Sequence, residues 1–461
     1  MTSVLVYTAF LLYAVARLWR APARDEADYV VAGRRLTLPA FVATMVATWY
    51  GGILGVGEYT WRYGVSNWLV FGVPYYLWAL VFAAGLAGRA RTSGALTLPD
   101  LLHRRYGRPV ALLGALLLLV TTVPAAYVLM LGVLARLAFG WPLWAGVVLG
   151  TLLSVGYVFR GGLRGVVLTD RVQVVLMFAG FLVLVPACVA RYGGWTFLRA
   201  HLPAAHLSWD GGLGWQAVLV WYVIAAATLV DPAFHQRCYA ARSPAVARRG
   251  LLWSVLLWVV FDFLTTTAGL YARAVLPDLA DPVAAFPRLG GAVLGPLALG
   301  IFLTGLLATI MSTVDSNAFV AAVTWGRDIV QRWRDPQALL SGAAARGERP
   351  VPAAIPAALA VVGLLSVGLA LAARSVVTLW HHLGSVSAPA LLPVVVLAHT
   401  RRRLPPGWAL ASLLGGGGTA LAWLALGHGG PWLGWEPAFP GLLAGLLPAL
   451  AGLWRERRES T

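Results

Sequence analysis

The chain of 461 residues contains little charge, no lysine and only two cysteines. Charged residues make up 11% of it and hydrophobic residues 59%, whereas a soluble domain carries about 25% charge. This composition excludes an ordinary soluble protein. Cys188 and Cys238 fall in or beside different apolar segments, so they indicate neither a disulfide framework nor a metal site. Apolar runs of about 20 residues recur where barrel strands would alternate over about 10, so we expect a polytopic helical membrane protein.

Thirteen apolar stretches are long enough to cross a bilayer as helices. They are residues 3–19, 38–61, 67–88, 110–137, 141–159, 166–190, 213–231, 251–275, 292–324, 354–373, 377–399, 407–427 and 437–454. The longest polar gap, at about 327–352, is too short to bury a core. The sequence therefore predicts one membrane domain with no soluble domain attached.

All 35 basic residues are arginine, and the formal net charge is +17. In a soluble protein this excess would suggest a nucleic-acid partner, but membrane topology offers a simpler explanation. If the N-terminus is outside, 28 arginines fall on the cytoplasmic side and 7 outside, as the positive-inside rule requires. We therefore expect an extracellular N-terminus, a cytoplasmic tail at 455–461, the lipid bilayer as a partner, and no nucleic acid.

The second span contains four crowded glycines, Gly51, Gly52, Gly55 and Gly57. Each glycine weakens a helix by about 1 kcal/mol relative to alanine, so local unwinding is one explanation of four together. An unwound membrane helix exposes carbonyls that can ligate a cation. Close packing of this helix against a neighbour is the alternative explanation.

The ninth span contains a strip of buried oxygen ligands. Thr309, Ser312, Thr313 and Ser316 follow helical spacing and share one face, with Asp315 beside them. Hard cations such as sodium prefer oxygen ligands of this kind. The hydroxyls alone could bond their own helix backbone. Asp315 favours a cation site, because an unpaired carboxylate in a membrane is costly.

Two further acids and one polar segment lie within predicted spans. Asp170 lies about one turn inside the sixth span. It could bind a cation there, or it could lie at the interface and pair with Arg164. Asp262 has no basic residue within a helical turn and could serve substrate, proton or packing. Residues 380–394 join histidine, glycine, serine and proline, which is typical of a hinge or of a kinked packing helix.

Five segments resemble the bacterial sodium:solute symporters, which include sodium/proline, sodium/galactose and sialic-acid transporters. They are DYVVAGRRL (28–36), the glycine-rich second span, GGLRGVVLTDRVQ (161–173), HQRCYAARSPAVARRG (235–250) and LLATIMSTVDSN (306–317). The resemblance covers about 28–400. It implies an all-α, LeuT-type fold of two inverted repeats of five helices. The implied parts are 38–190 and 213–399 for the repeats, 3–19 for an extra N-terminal helix and 407–454 for two C-terminal helices.

The resemblance also implies a first sodium site between the second and ninth spans. The ninth span would contribute the Thr309 carbonyl and the hydroxyls of Ser312 and Thr313. The second span would contribute two carbonyls. Matching the family alanine assigns these to Ala47 and Tyr50, whereas gap-free alignment assigns them to Met45 and Thr48.

A second sodium site is implied by some relatives. Its ligands here would be Asp170, Ser312, Asp315 and Ser316. Asp315 replaces a commoner small residue and adds negative charge, so either one or two sodium ions, or a proton, could be co-transported. Relatives line their solute site with residues from the middle of the repeat helices. The matching candidates here are Trp49, Tyr50, Trp221, Tyr222 and Ser385, and Asp262 is added as a possible solute contact.

The expected function is that of a sodium-coupled secondary active symporter, not an enzyme. It would import a small organic solute across a bacterial cytoplasmic (inner) membrane by alternating access. Proton-coupled transport through Asp170, Asp262 or Asp315 is one alternative. A membrane-embedded enzyme that acts on lipid-linked substrates through His381 and His382 is another.

Overall fold

The computed structural model describes residues 2–20, 22–335, 339, 350–372, 376–426 and 435–460. These residues form helices and loops, with one isolated bridge pair between Leu36 and Ala241. Ten helical segments are long and apolar enough to cross a membrane, and a bent pair of helices makes an eleventh crossing. The other two predicted spans correspond to the first helix and to Val376–Ala398. All thirteen predicted spans are therefore helical.

Some crossings consist of one helix and others of two. They are α1 (Thr2–Arg20), α3 (Leu38–Trp49) with α4 (Ile53–Tyr63), a π turn (Trp68–Gly72) with α5 (Val73–Gly85), α8 (Arg108–Thr122) with α9 (Ala125–Phe139), α10 (Leu143–Gly161), α11 (Leu163–Tyr192), α14 (Trp215–Ile224) with α15 (Pro232–Ala240), α16 (Pro244–Val275), α18 (Pro296–Val323), α20 (Ala354–Ala372), α21 (Val376–Ala398), α22 (Pro406–Leu426) and α23 (Ala438–Ser460). Shorter helices connect them: α2 (Glu26–Val31), α6 (Ala87–Thr92), α7 (Leu98–Tyr106), α12 (Trp195–His201), α13 (Ala204–Leu207), α17 (Ala285–Val293) and α19 (Arg332–Arg334).

The second span is broken between α3 and α4, which meet at a 57° bend. Gly51 and Gly52 lie in the break, whereas Gly55 and Gly57 continue as part of α4. A Cβ atom on Gly51 would lie 2.5 Å from Oγ1 and 2.6 Å from Cγ2 of Thr313. Gly51 and Gly52 therefore permit both the break and a close approach to α18, while Gly57 within α4 permits close packing, since a Cβ atom there would lie 2.9 Å from the Phe286 ring.

The seventh span is also discontinuous. After α14 the chain forms a 3-10 turn at Ala225–Val230, and α15 then begins at Pro232. The carboxylate of Asp231 caps α15 by accepting the amides of Ala233 and Phe234 at 2.8 and 3.0 Å. Because the cap restarts the helix, the span extends to Ala240 instead of ending at 231 as predicted.

Helices α11 and α18 cross closely at small residues. A Cβ atom on Gly305 would lie only 2.6 Å from the Leu176 carbonyl and 3.4 Å from the Gly180 Cα atom. Membrane helices associate through close contact of this kind, because lipid provides no hydrophobic drive for their association. The crossing fixes the position of the polar strip of α18.

A buried ionic network joins α2 and α7 to the residues that continue α18, the π turn Thr324–Gln331 and α19. Arg327 pairs with Glu26 and lies 2.8 Å from both Asp100 and Asp328, while Arg332 lies 2.8 Å from Asp100 and 3.1 Å from Asp328. Burial raises the pKa of Asp100, but the two guanidinium groups outweigh it and hold that pKa below its ordinary value. Pairing with opposite charges offsets the free-energy cost of burying these ionised groups away from water.

Candidate sodium and solute site

Two hydroxyls of α18 meet the carbonyls at the end of α3. Ser312 Oγ lies 2.8 Å from the carbonyl oxygens of both Ala47 and Thr309. Thr313 Oγ1 donates to the Thr48 carbonyl at 2.7 Å. The last carbonyls of a helix lack partners within it, so the break leaves these oxygens available. Carbonyl and hydroxyl oxygens together are a donor set suited to sodium.

Two carbonyls of α3 contact hydroxyls of α18, and each was assigned as a ligand by a different alignment of the second span. Ala47 comes from one alignment and Thr48 from the other. Tyr50 lies in the break, and its hydroxyl donates to the Trp258 carbonyl at 3.0 Å. The Thr309 hydroxyl bonds to a carbonyl one turn earlier in α18 at 2.7 Å, so Thr309 presents its carbonyl to Ser312.

A second polar cluster surrounds a buried guanidinium. Arg237 Nη2 donates to Ser316 Oγ at 2.7 Å, Thr48 Oγ1 at 3.0 Å and Thr44 Oγ1 at 3.3 Å. Thr44 also bonds to the carboxylate of Asp170. Sequence reasoning placed Arg237 in a cytoplasmic loop, which is wrong, because its side chain is fully buried.

The carboxylate of Asp315 faces α10, where it accepts a hydrogen bond from Tyr157. Of the predicted second set, Asp170, Asp315 and Ser316 lie close to Arg237. Ser312 instead contacts the Ala47 carbonyl at the end of α3. Within the described residues, the Oδ1 atoms of Asp170 and Asp315 are both buried without a hydrogen-bond partner.

A cavity of about 300 Å³ lies between the α3/α4 break, α14, α15 and α16. Of the predicted solute contacts, Trp49, Tyr50, Trp221 and Asp262 line it. Tyr222 is not among its lining residues. The Tyr222 carbonyl accepts a hydrogen bond from the indole of Trp78 at 2.7 Å. Successive residues of a helix point about 100° apart, and here Trp221 faces the cavity while Tyr222 points away from it. The Ser385 side chain lies outside the described residues.

The cavity also contains residues that sequence reasoning did not assign to it. These are Met45, Thr48, Gly52, Val56, Phe71, Tyr75, Tyr127, Ile224, Ala227, Asp231, Ala233, Phe234, Arg237, Thr313 and Asn317. Asp231 followed by proline is a helix-start pattern. Applied here, it would have placed Arg237 more than a turn inside a helix instead of in a loop. The aromatic residues carried no comparable pattern.

The sodium-type oxygen set and the cavity share two residues. Thr48 and Thr313, joined by a hydrogen bond, also line the cavity. Broken helices that present carbonyls and polar side chains at a central cavity define a secondary membrane transporter.

Comparisons with known proteins place the chain within this class. The model of the sodium:solute symporter family matches residues 29–416, and the chain belongs to that family. It is 27% identical to the sodium/pantothenate symporter of Escherichia coli, over 92% of this chain and 89% of that protein. It is also 27% identical to the osmoregulated proline transporter of Bacillus subtilis, over 92% and 90%.

Solved structures support the fold. A sodium-coupled sialic acid symporter in a substrate-bound, outward-open state aligns with a TM-score of 0.79 at 16% identity, covering 98% of this chain and 96% of that one. The transporter Mhp1 in a closed conformation aligns with a TM-score of 0.62 at 14% identity, covering 95% of each. The predicted LeuT-type fold is thereby confirmed.

Family membership confirms the expected class of function. The chain is a multi-pass membrane protein and a sodium-coupled symporter of small organic solutes. The family consists of transporters, so the enzyme alternative based on His381 and His382 is wrong. The site residues, the number of ions and the solute are separate questions.

Proposed function

We propose that one sodium ion binds between the end of α3 and α18. Its ligands are the carbonyls of Ala47, Thr48 and Thr309 and the hydroxyls of Ser312 and Thr313. The observation that carries this assignment is the meeting of both α18 hydroxyls with α3 carbonyls at 2.7 and 2.8 Å. A sodium ion bound there is ligated by the same carbonyl and hydroxyl oxygens that these hydrogen bonds already bring together.

We place the transported solute in the cavity beside this ion. Thr48 and Thr313 belong both to the oxygen set and to the cavity wall. Sodium that holds the α3/α4 break against α18 therefore also fixes one side of the solute site. Coupling follows because sodium and solute favour the same conformation, and each shifts the equilibrium only by its differential affinity.

Ser312→Ala tests the ion site. The matched control is Ser366→Ala, because Ser366 is equally buried and its hydroxyl only bonds the Val362 carbonyl of its own helix at 2.7 Å. We expect Ser312→Ala to lose the sodium-dependent rise in thermal stability and Ser366→Ala to retain it, with potassium replacing sodium at constant ionic strength. An unchanged sodium response in Ser312→Ala would contradict the assignment.

We further propose that the second cluster takes one more sodium ion. Asp170 and Asp315 bring two carboxylates against the single guanidinium of Arg237, which leaves one negative charge to neutralise if both acids are ionised. Their buried Oδ1 atoms, with no hydrogen-bond partner in the described structure, provide the free oxygen atoms. Ser316 supplies a hydroxyl beside Arg237. Ser312 belongs to the first site.

The number of ions is tested with Asp170→Asn and Asp315→Asn in proteoliposomes. We expect both variants to reduce the cooperativity of sodium dependence and the charge moved per solute. Uptake driven by a pH gradient in the absence of sodium, and abolished by the same variants, would assign this cluster to a proton instead.

We also propose a location and an orientation. The two bacterial relatives support a bacterial cytoplasmic membrane, and the arginine distribution supports an outside N-terminus with a cytoplasmic C-terminus. The breaks at α3/α4 and α14/α15 support repeats at 38–190 and 213–399, because each break lies in the first crossing of its repeat. A reporter fusion at 213–214 should report the outside and one after 460 the cytoplasm. The reverse pattern, or the same side for both, would contradict the orientation.

A further inference from the structure

We infer that the solute is an organic ammonium cation, held by Asp262 and the aromatic wall of the cavity. This inference rests on the proposed function, which places the solute in that cavity. It goes further by assigning the charge of the solute.

The wall of the cavity is rich in aromatic residues. It includes Trp49, Tyr50, Phe71, Tyr75, Trp221 and Phe234. The indole of Trp49 packs 5.2 Å from the ring of Tyr75 and 5.5 Å from that of Phe234, both nearly perpendicular to it, and Phe71 lies 4.7 Å from Trp221. Faces of tryptophan and tyrosine attract an alkylammonium group through their quadrupoles, and more strongly where water is excluded.

The ionisable side chains of the cavity are unbalanced. Asp231 and Asp262 are acidic, and Arg237 is basic. Nη2 of the guanidinium bonds Ser316 at 2.7 Å and Nη1 bonds Gln236 at 3.1 Å, while Nε has no hydrogen-bond partner among the described residues. The charge of the guanidinium is shared with Asp170 and Asp315, which do not line the cavity. Asp231 uses Oδ1 to cap α15. With both acids ionised, the cavity carries an excess negative charge.

Asp262 is the acid without a cationic neighbour. It is buried, and its carboxylate accepts a hydrogen bond from the Tyr76 hydroxyl. Among the ion pairs of the described residues, none includes Asp262. A carboxylate inside a membrane protein normally pairs or faces a functional cavity. A cationic solute supplies the missing charge, whereas an anionic solute adds to the repulsion.

The probes are choline, benzyltrimethylammonium and dimethylbutanol, the last being the neutral carbon isostere of choline. Each is added to the full-length protein in detergent with sodium chloride, and the midpoint of thermal unfolding is measured. We expect choline and benzyltrimethylammonium to raise the midpoint and the neutral isostere to leave it unchanged. Stabilisation by proline or pantothenate without stabilisation by either ammonium probe would overturn the inference.

Variants of Asp262 locate the charge that is recognised. Asp262→Asn keeps the shape of the side chain and is expected to weaken binding of the ammonium probes by about ten-fold or more. Asp262→Glu keeps the charge and is expected to restore part of that loss. The control Asp278→Asn removes an exposed acid from the loop after α16 and is expected to bind like the wild type. Equal probe affinity in Asp262→Asn and Asp278→Asn would refute the role of Asp262.

The sodium response separates this inference from the proposed function. Sodium alone is titrated against every variant before any probe is added. If sodium stabilises the wild type and no ammonium probe adds to it, the solute assignment is wrong while the sodium site stands. If sodium has no effect but the ammonium probes stabilise the protein, the sodium site is wrong and the recognition of a cation stands.

Discussion

Adding one methyl group at Gly51 should weaken sodium binding without removing any proposed ligand. A Cβ atom there would lie 2.5 Å from Oγ1 and 2.6 Å from Cγ2 of Thr313, whereas carbon atoms make ordinary contact at about 3.5–4.0 Å. Thr313 must therefore retreat by about 1 Å. Its hydroxyl lies 2.7 Å from the Thr48 carbonyl, and the retreat takes it beyond the ~3.2 Å limit of a good hydrogen bond.

Overpacking of this kind costs about 1–3 kcal/mol. If the whole cost falls on the sodium-bound state, sodium affinity decreases by about 5-fold to about 140-fold, since 1.4 kcal/mol corresponds to ten-fold. The assay is thermal stability across a sodium series at constant ionic strength. Gly368→Ala is the control, because no heavy atom lies within 4 Å of the added methyl group. Equal sodium midpoints for the two alanine variants would refute the proposed contact between the break and α18.

Three further outcomes follow from the packing and the ionic network. Arg327→Gln leaves the buried Glu26 without its ionic partner and should destabilise the protein by about 3–5 kcal/mol, measured by thermal unfolding, whereas Arg455→Gln at an exposed pair should change little. Because the pKa of Asp100 is held low in the folded protein, stability should decrease as the pH falls below the ordinary value of 3.8; a stability–pH curve with the same acid slope in Asp100→Asn would contradict this. Gly305→Ala should separate α11 from α18 and cost about 1–3 kcal/mol, and an unchanged unfolding midpoint would show that the helices can shift freely.

The buried charges show where sequence reasoning failed and why. The sequence singled out Asp170, Asp262 and Asp315 as candidate functional residues, because a carboxylate inside an apolar run is costly unless it has a partner or a function. Arg237 was missed because an arginine near the end of an apolar run is usually interfacial. The Asp231 cap restarts the helix, and this local feature carries Arg237 into the protein interior. For Arg237, the helix-start pattern at Asp231 was therefore a better guide than the rule that arginines mark cytoplasmic loops.

The residues of the proposed ion sites were singled out by residue type, but their partners were not. Helical spacing placed Ser312, Thr313 and Ser316 on one side of α18. In the structure all three contact α3, and Ser316 also contacts Arg237 of α15. Periodicity gives the direction of a side chain from its own helix and says nothing about which neighbour it meets.

The class of protein, the thirteen spans and the chemical nature of the proposed ion site follow from the sequence alone. Those features depend on hydrophobicity, helical period and the cost of polar groups in lipid, all of which are local properties. The packing of the helices sets which carbonyls face Ser312 and Thr313, brings Thr48 and Thr313 to the cavity wall, and leaves Asp262 at that wall without a basic partner in the described structure. These contacts join residues distant in the chain, and close packing between helices fixes them.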